Sequence, residues 1–171
     1  MDLGCIVEPS GGKWRQKPLP IPVKRTVRGR SVEGFVGRYE RQLDPKGRVA
    51  LPPTFRNRLE PRCFLVIGQD KCVVVVTAAV AAERGEETLQ AVKRGEKTMS
   101  ELRALAVSMT EVSVDGQGRI TIDDNLRSYA GLLPGAKVVV SGAFDSVEIW
   151  EPGRFERMLS AGTEAVAGAD S

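Results

Sequence analysis

Residues 42–51 read QLDPKGRVAL, and residues 113–122 read SVDGQGRITI. At an offset of 71 residues, the two segments share the spacing Asp-x-x-Gly-Arg followed by aliphatic residues. Arg56 and Arg127 also match at this offset. One such segment would carry little information. Its return between the same predicted strand, helix and hairpin indicates an internal repeat.

Each copy of the repeat predicts the same order of elements. Alternating apolar residues predict a strand on either side of the turn, followed by a short helix and an apolar hairpin. The predicted elements are strands at 35–43 and 48–51, a helix at 54–59 and a hairpin at 63–67 and 72–76, then strands at 111–114 and 119–122, a helix at 125–129 and a hairpin at 137–140 and 147–150. These patterns predict an α+β fold that is mainly β.

The segments around the two copies differ in composition. The N-terminal segment combines Pro, Gly, Lys and Arg without a hydrophobic period, which predicts a disordered basic arm. A largely helical connector is predicted between the copies, with an interruption near Gly95, and a short amphipathic segment at 155–159 precedes a tail predicted to be disordered. The predicted divisions are an arm at 1–33, a first half at 34–78, a helical connector at 79–108, a second half at 109–152 and a C-terminal helix and tail at 153–171.

The composition argues against catalysis. The chain has 171 residues, of which 42% are hydrophobic and 27% charged, so it can bury a core. It contains no histidine, and its three cysteines lack CxxC spacing, so the usual general base and most zinc sites are missing. The sequence therefore predicts no enzyme, no metal and no cofactor. Cys63, Cys72 and Trp150 are interpreted as core residues.

Charge and hydropathy bear on the partner. No stretch is long and apolar enough for a spanning helix or a secretory signal, which predicts a cytoplasmic protein without a membrane role. Residues 1–60 contain 13 Lys and Arg against 6 Asp and Glu, whereas the remainder contains 12 against 16. The basic front favours a polyanionic partner, although a solvated basic tail has a similar composition.

The two turns have a mechanical interpretation. The predicted turn-forming residues are Asp44 and Gly47 in the first copy and Asp115 and Gly118 in the second. Each Asp can accept bonds from backbone amides ahead of it and each Gly supplies a positive φ, so the following Arg has a fixed direction. Such an Arg suits bidentate contact with guanine edges or phosphates. Alternatively, Asp and Arg pair only to brace each hairpin.

Together with FVGRYE at 35–40, LRSYAGL at 126–132 and EIW at 148–150, these turns resemble the MraZ family over residues 34–158. The resemblance implies two tandem AbrB-like swapped-hairpin β-barrel halves, linked and flanked by helices. It also implies a ring-shaped homo-oligomer and a nucleoid-associated repressor that binds direct repeats in double-stranded DNA upstream of the division and cell-wall genes. Independently, one half cannot cover apolar strands such as 72–76, which predicts association between copies of the chain.

The family resemblance assigns DNA contact to Lys46 and Arg48 in the first turn and to Arg119 in the second. Arg41 and Gln117 complete the predicted DNA-binding set. An antitoxin-like binder with a different operator and a protein partner stays open as an alternative. So does a β-barrel adaptor that does not bind DNA, although an adaptor would not require Arg at both turn tips. An enzyme ranks third, because no nucleophile, base and oxyanion site can be assembled.

Overall fold

The computed structural model describes residues 34–168, so the predicted basic arm at 1–33 lies outside the described residues. The first copy contains β1 (Arg38–Gln42), β2 (Arg48–Ala50), helix α1 (Pro53–Leu59), β3 (Arg62–Ile67) and β4 (Val73–Val76). The second contains β5 (Thr110–Ser113), β6 (Arg119–Thr121), helix α4 (Asp124–Ala130), β7 (Lys137–Gly142) and β8 (Val147–Trp150). The predicted order of elements is confirmed in both copies, with some strand ends shifted by a few residues.

Three longer helices follow the two hairpins. Helices α2 (Ala78–Lys93) and α3 (Met99–Ser108) form the predicted helical connector, and Gly95 lies between them with a φ of +75°. Helix α5 (Pro152–Ala167) has 16 residues and occupies in the second copy the place that α2 has in the first. The predictions of a short final segment and a mainly β chain are therefore wrong, because helical residues outnumber strand residues.

Helix α5 is stabilised by a side-chain cap at its N-terminus and by the packing of its first turn. The Glu151 side chain accepts hydrogen bonds from the backbone N–H groups of Gly153 and Arg154 at 2.8 Å, which satisfies two free donors of the first turn. Phe155 is buried against Trp150. The alanines that suggested a disordered tail are strong helix formers.

The strands of the two copies interleave in one open antiparallel sheet of order β1-β7-β8-β4-β3-β5. β1 of the first copy pairs with β7 of the second, β5 of the second pairs with β3 of the first, and β4 pairs with β8. The expected pair of closed barrel halves is therefore not formed. Within each copy only the hairpin strands pair with each other, β3 with β4 and β7 with β8, whereas the first strand of each copy pairs with the hairpin of the other copy.

Both faces of the central strand β4 are buried. Val73 and Val75 pack into one apolar cluster together with β2, β6, α1 and α4, whereas Val74 and Val76 pack into a second cluster with residues of α2 and α5. A strand covered on both faces has a continuous apolar sequence rather than an alternating one. The prediction that residues 72–76 need another chain to cover them is wrong, since each is at most 4% exposed within one chain.

Candidate nucleic-acid interface

β2 and β6 form a separate two-stranded ribbon, in which Val49 lies opposite Ile120, and Ala50 lies opposite Arg119. Val49 and Ile120 are 0% exposed and face the core. Because side chains alternate along a strand, Arg48 and Arg119 share the other face of the ribbon. The register offsets them by two residues, which is about 7 Å along the ribbon. Strand pairing thus brings the two repeat arginines to one face.

The first turn has the predicted hydrogen bonds. Asp44 Oδ1 accepts from the backbone N–H groups of Lys46 at 2.8 Å and Arg48 at 2.9 Å. The Gly47 N–H donates to the Asp44 carbonyl at 2.9 Å, and Gly47 has a φ of +73°. The hydrogen bond from the Arg48 backbone lowers the pKa of Asp44, so the carboxylate stays charged at pH values below its ordinary titration range.

The second turn repeats this arrangement bond for bond. Asp115 Oδ1 accepts from the backbone N–H groups of Gln117 and Arg119, both at 2.9 Å. Gly118 donates to the Asp115 carbonyl at 2.8 Å and has a φ of +76°. The backbone bond from Arg119 lowers the pKa of Asp115. The prediction of two turns with an Asp acceptor and a positive-φ Gly is therefore confirmed.

The Asp–Arg pair of the alternative interpretation, which braces each hairpin, is also present. Arg48 Nε donates to Asp44 Oδ2 at 2.6 Å, and Arg119 Nε donates to Asp115 Oδ2 at 2.8 Å. The arginine side chains remain 30% and 27% exposed. Among residues 34–168, the terminal nitrogens of Arg48 donate no hydrogen bond. The brace therefore orients Arg48 while leaving its two terminal nitrogens without a partner among residues 34–168.

The remaining predicted residues divide into two groups. Lys46 and Gln117 are exposed at equivalent places, each one residue before the turn glycine. Arg41 lies on β1, where its guanidinium is 5.5 Å from the centre of the Tyr39 ring and donates to the Glu40 carbonyl at 2.8 Å. The structure brings Lys46 and Gln117 to the turn tips, whereas the Arg41 side chain is engaged along its own strand.

Two further arginines at the turns received no role in the sequence analysis. Arg127 of α4 lies against Gly47 of the first turn, and Arg56 of α1 lies against Gly118 of the second. The sequence indicated a shared role for Arg56 and Arg127 only through their 71-residue spacing, which equals the repeat offset. This spacing does not show that each arginine contacts the turn of the other copy.

Residues 34–168 contain no group of three or more His, Cys, Asp or Glu side chains that could hold a metal ion. Within the same residues, no helix is long and apolar enough to cross a membrane. Burial raises the pKa of the Cys63 and Cys72 thiols to about 12, and both thiols are free. The interpretation of Cys63, Cys72 and Trp150 as core residues is confirmed.

The fold and the turns define a tandem-repeat protein whose copies share one sheet and present two Gly-Arg turns on one β-ribbon. The model of the MraZ protein family, whose description likens it to antitoxins, matches residues 35–78 and 105–168. The chain belongs to the MraZ family.

Curated relatives match most of the chain. A protein of Corynebacterium kroppenstedtii is 35% identical over 136 residues, which cover 80% of this chain and 94% of that protein. A protein of Nocardioides is 41% identical over 134 residues, covering 77% and 89%, and one of Roseiflexus castenholzii is 35% identical over 127 residues, covering 74% and 87%. Each of these relatives is named transcriptional regulator MraZ.

Proposed function

We propose that this chain is a transcriptional regulator that binds double-stranded DNA with the outward face of the β2–β6 ribbon. The observation that carries the proposal is the register that sets Arg48 and Arg119 on that face. The major groove admits a two-stranded ribbon, and arginines held at fixed directions suit guanine edges and phosphates. The names of the relatives support a regulatory role.

The side chains have different proposed tasks. Arg48 contacts base edges through its free terminal nitrogens, and Lys46 contacts a phosphate as a point charge. Arg119 makes the equivalent contact from the second turn, where Gln117 stands in place of the lysine, so the second turn binds less strongly. Arg41 of β1 supplies a contact to the DNA phosphate backbone once its guanidinium leaves the Glu40 carbonyl.

The family resemblance extends the proposal. We infer a cytoplasmic, nucleoid-associated repressor of the division and cell-wall gene cluster that binds short direct repeats as a ring-shaped homo-oligomer, built from swapped hairpins. Apolar side chains on the helices support association between copies, since Val107 of α3 is 86% exposed and Val166 of α5 is 90% exposed. No enzymatic activity is proposed.

The test is a fluorescence-anisotropy titration of the full chain against DNA from its own upstream region and a scrambled duplex of equal length, at several salt concentrations. We expect tighter binding to the natural sequence and a log–log salt slope of roughly −0.9 for each phosphate contact. Equal affinity for both duplexes would overturn sequence-specific regulation. No DNA binding, together with a stable protein partner, would establish the antitoxin-like or adaptor alternative instead.

Deleting residues 1–33 tests the arm separately. We expect folding and assembly to persist and affinity for every duplex to fall, because a basic segment without a hydrophobic period contributes non-specific phosphate contacts. The ratio of affinities for the natural and scrambled duplexes should not change. An insoluble truncated protein, or one with a lower ratio, would contradict this role.

A further inference from the structure

We propose that Arg127 and Arg56 are positioning residues, each of which holds the Gly-Arg turn of the opposite repeat copy in the shape that contacts DNA. The DNA part of this inference rests on the proposed function. The positioning part concerns the turns alone and can be tested without DNA.

Arg127 lies against the glycine of the first turn. A Cβ atom built on Gly47 would be 2.9 Å from Arg127 Nε and 3.0 Å from the Ile122 carbonyl oxygen, so only a glycine fits without displacement. Gly47 is buried although it belongs to a surface turn. Ile122 N–H donates to the Gly47 carbonyl at 2.8 Å, and Arg127 Nε donates to the Ile122 carbonyl at 3.1 Å. Arg127 thus covers Gly47 and also bonds Ile122, the residue whose N–H holds the Gly47 carbonyl.

Arg56 has the equivalent position on the second turn. A Cβ atom on Gly118 would be 2.7 Å from Arg56 Cδ and 2.9 Å from Nη1, and Leu51 N–H donates to the Gly118 carbonyl at 2.9 Å. Gly118 is also buried. The contacts therefore cross, since the helix of each copy covers the turn of the other.

The two contacts differ in how well the arginine is held. Arg127 pairs with Asp124 in addition to its bond with Ile122, and its side chain is 15% exposed. The buried Nε of Arg56 lies 3.2 Å from Glu60 Oε1, close enough for an ion pair, but it forms no hydrogen bond within the part of the chain that the structure describes. The first copy has Pro53 where the second has Asp124. The first turn, held by Arg127, is therefore the more firmly positioned of the two.

Positioning matters because a turn that is already ordered loses less entropy when it binds. Each Gly-Arg turn is short, and its own Asp makes the local bonds described above. The opposite arginine adds a contact from a helix over the glycine itself. Removing it should loosen the turn while leaving the Asp bonds and the charge of the turn arginine in place.

Amide hydrogen exchange on the full chain, without DNA, tests the crossing. Arg127→Ala should speed exchange in peptides covering residues 44–48, and Arg56→Ala should speed it in peptides covering 115–119, by roughly five- to tenfold, the loss of about one net hydrogen bond. Arg58→Ala, on the same helix as Arg56, is the matched control for loss of a positive charge and should change neither peptide. Faster exchange in both turns, or in the turn of the mutated copy only, would overturn the proposal.

A double-substitution cycle tests the contact between Arg127 and Gly47 even if one of the single variants is poorly folded. Gly47→Ala should lower the unfolding midpoint less in the Arg127→Ala background than in the native chain, because the side chain it collides with is gone. In the Arg56→Ala background its effect should be unchanged. Equal effects in all three backgrounds would show that Arg127 does not act on Gly47.

Anisotropy on the same variants then connects positioning to DNA. Arg127→Ala should weaken operator binding roughly tenfold, more than Arg56→Ala, while Arg127→Lys should not restore it because an ammonium group cannot replace the planar guanidinium. Weaker operator binding with unchanged exchange would mean that Arg127 contacts DNA directly, and would overturn positioning. A crossed exchange pattern without any DNA binding would overturn the proposed function but not the positioning of the turns.

Discussion

Replacing Arg48 with alanine separates the two roles that the first turn allows. The substitution removes an Nε donor that lies 2.6 Å from Asp44 Oδ2, in a pair whose side chains are 30% and 25% exposed. An ion pair this accessible to water contributes little, so the unfolding midpoint should change only slightly. If the terminal nitrogens bind a guanine edge, the same substitution should cost about 1 to 3 kcal/mol of discrimination, which is roughly 5- to 150-fold in relative affinity.

The assay is competition anisotropy with the natural operator and duplexes that each carry one changed base pair. Two variants serve as comparisons. Lys46→Ala should weaken binding to all duplexes alike and reduce the salt slope by about one unit for each contact, multiplied by the number of subunits engaged. Arg119→Ala should fall between the native chain and Arg48→Ala, because its turn carries Gln117 instead of lysine.

One result would refute this reasoning. If Arg48→Ala unfolds the chain or dissociates an oligomer, while the fraction that stays folded binds the operator normally, then the bond to Asp44 is the whole role of Arg48. Light scattering and thermal unfolding on the same sample distinguish this result from a loss of DNA contact.

Three further predictions concern the core. Burial raises the pKa of Glu148, so the charged form is disfavoured in the folded state. Glu148→Gln should therefore raise the unfolding midpoint at pH 7. The gain should vanish as the pH falls below about 4.5, because the carboxyl of the native chain is then protonated in the unfolded state as well as in the folded state. Because burial places the pKa of Cys63 and Cys72 at about 12, a Cys5→Ser variant should show no thiol reactive with Ellman's reagent at pH 8 until it is unfolded. Ile120→Ala should destabilise the chain by about 2 to 5 kcal/mol in chemical denaturation, because Ile120 is fully buried beneath the ribbon; a smaller loss would mean that the ribbon is not anchored there.

The turns were predictable because the interactions that form them lie within a few residues of sequence. The spacing Asp-x-x-Gly-Arg predicted both turns, since an Asp acceptor and a positive-φ glycine act within five residues. The partners of the strands were not predictable, because the all-valine run 73–76 has no alternation to show which face meets which neighbour. A C-terminal helix was predicted, but its extension to Ala167 was not, because the residues after Leu159 are rich in Ala and Gly.

The candidate site divides in the same way. The turn arginines were identified from a motif, whereas the convergence of Arg48 and Arg119 depends on a register between strands 71 residues apart. The covering of Gly47 by Arg127 depends on that same register together with the position of helix α4. Such contacts arise from tertiary structure and leave only the repeat offset as a trace in the sequence.

The interleaved strands also constrain how the chain is made. β3 pairs with β5 at Thr110–Ser113, and β4 pairs with β8 at Val147–Trp150. β3 and β4 therefore emerge from the ribosome well before these partner strands. Until β8 has been synthesised, the valines of β4 have β3 on one side only, and we expect them to be open to contact with other nascent chains. The two copies therefore depend on each other during synthesis as well as in the folded state, because the sheet of the first copy is complete only after Trp150 has been added.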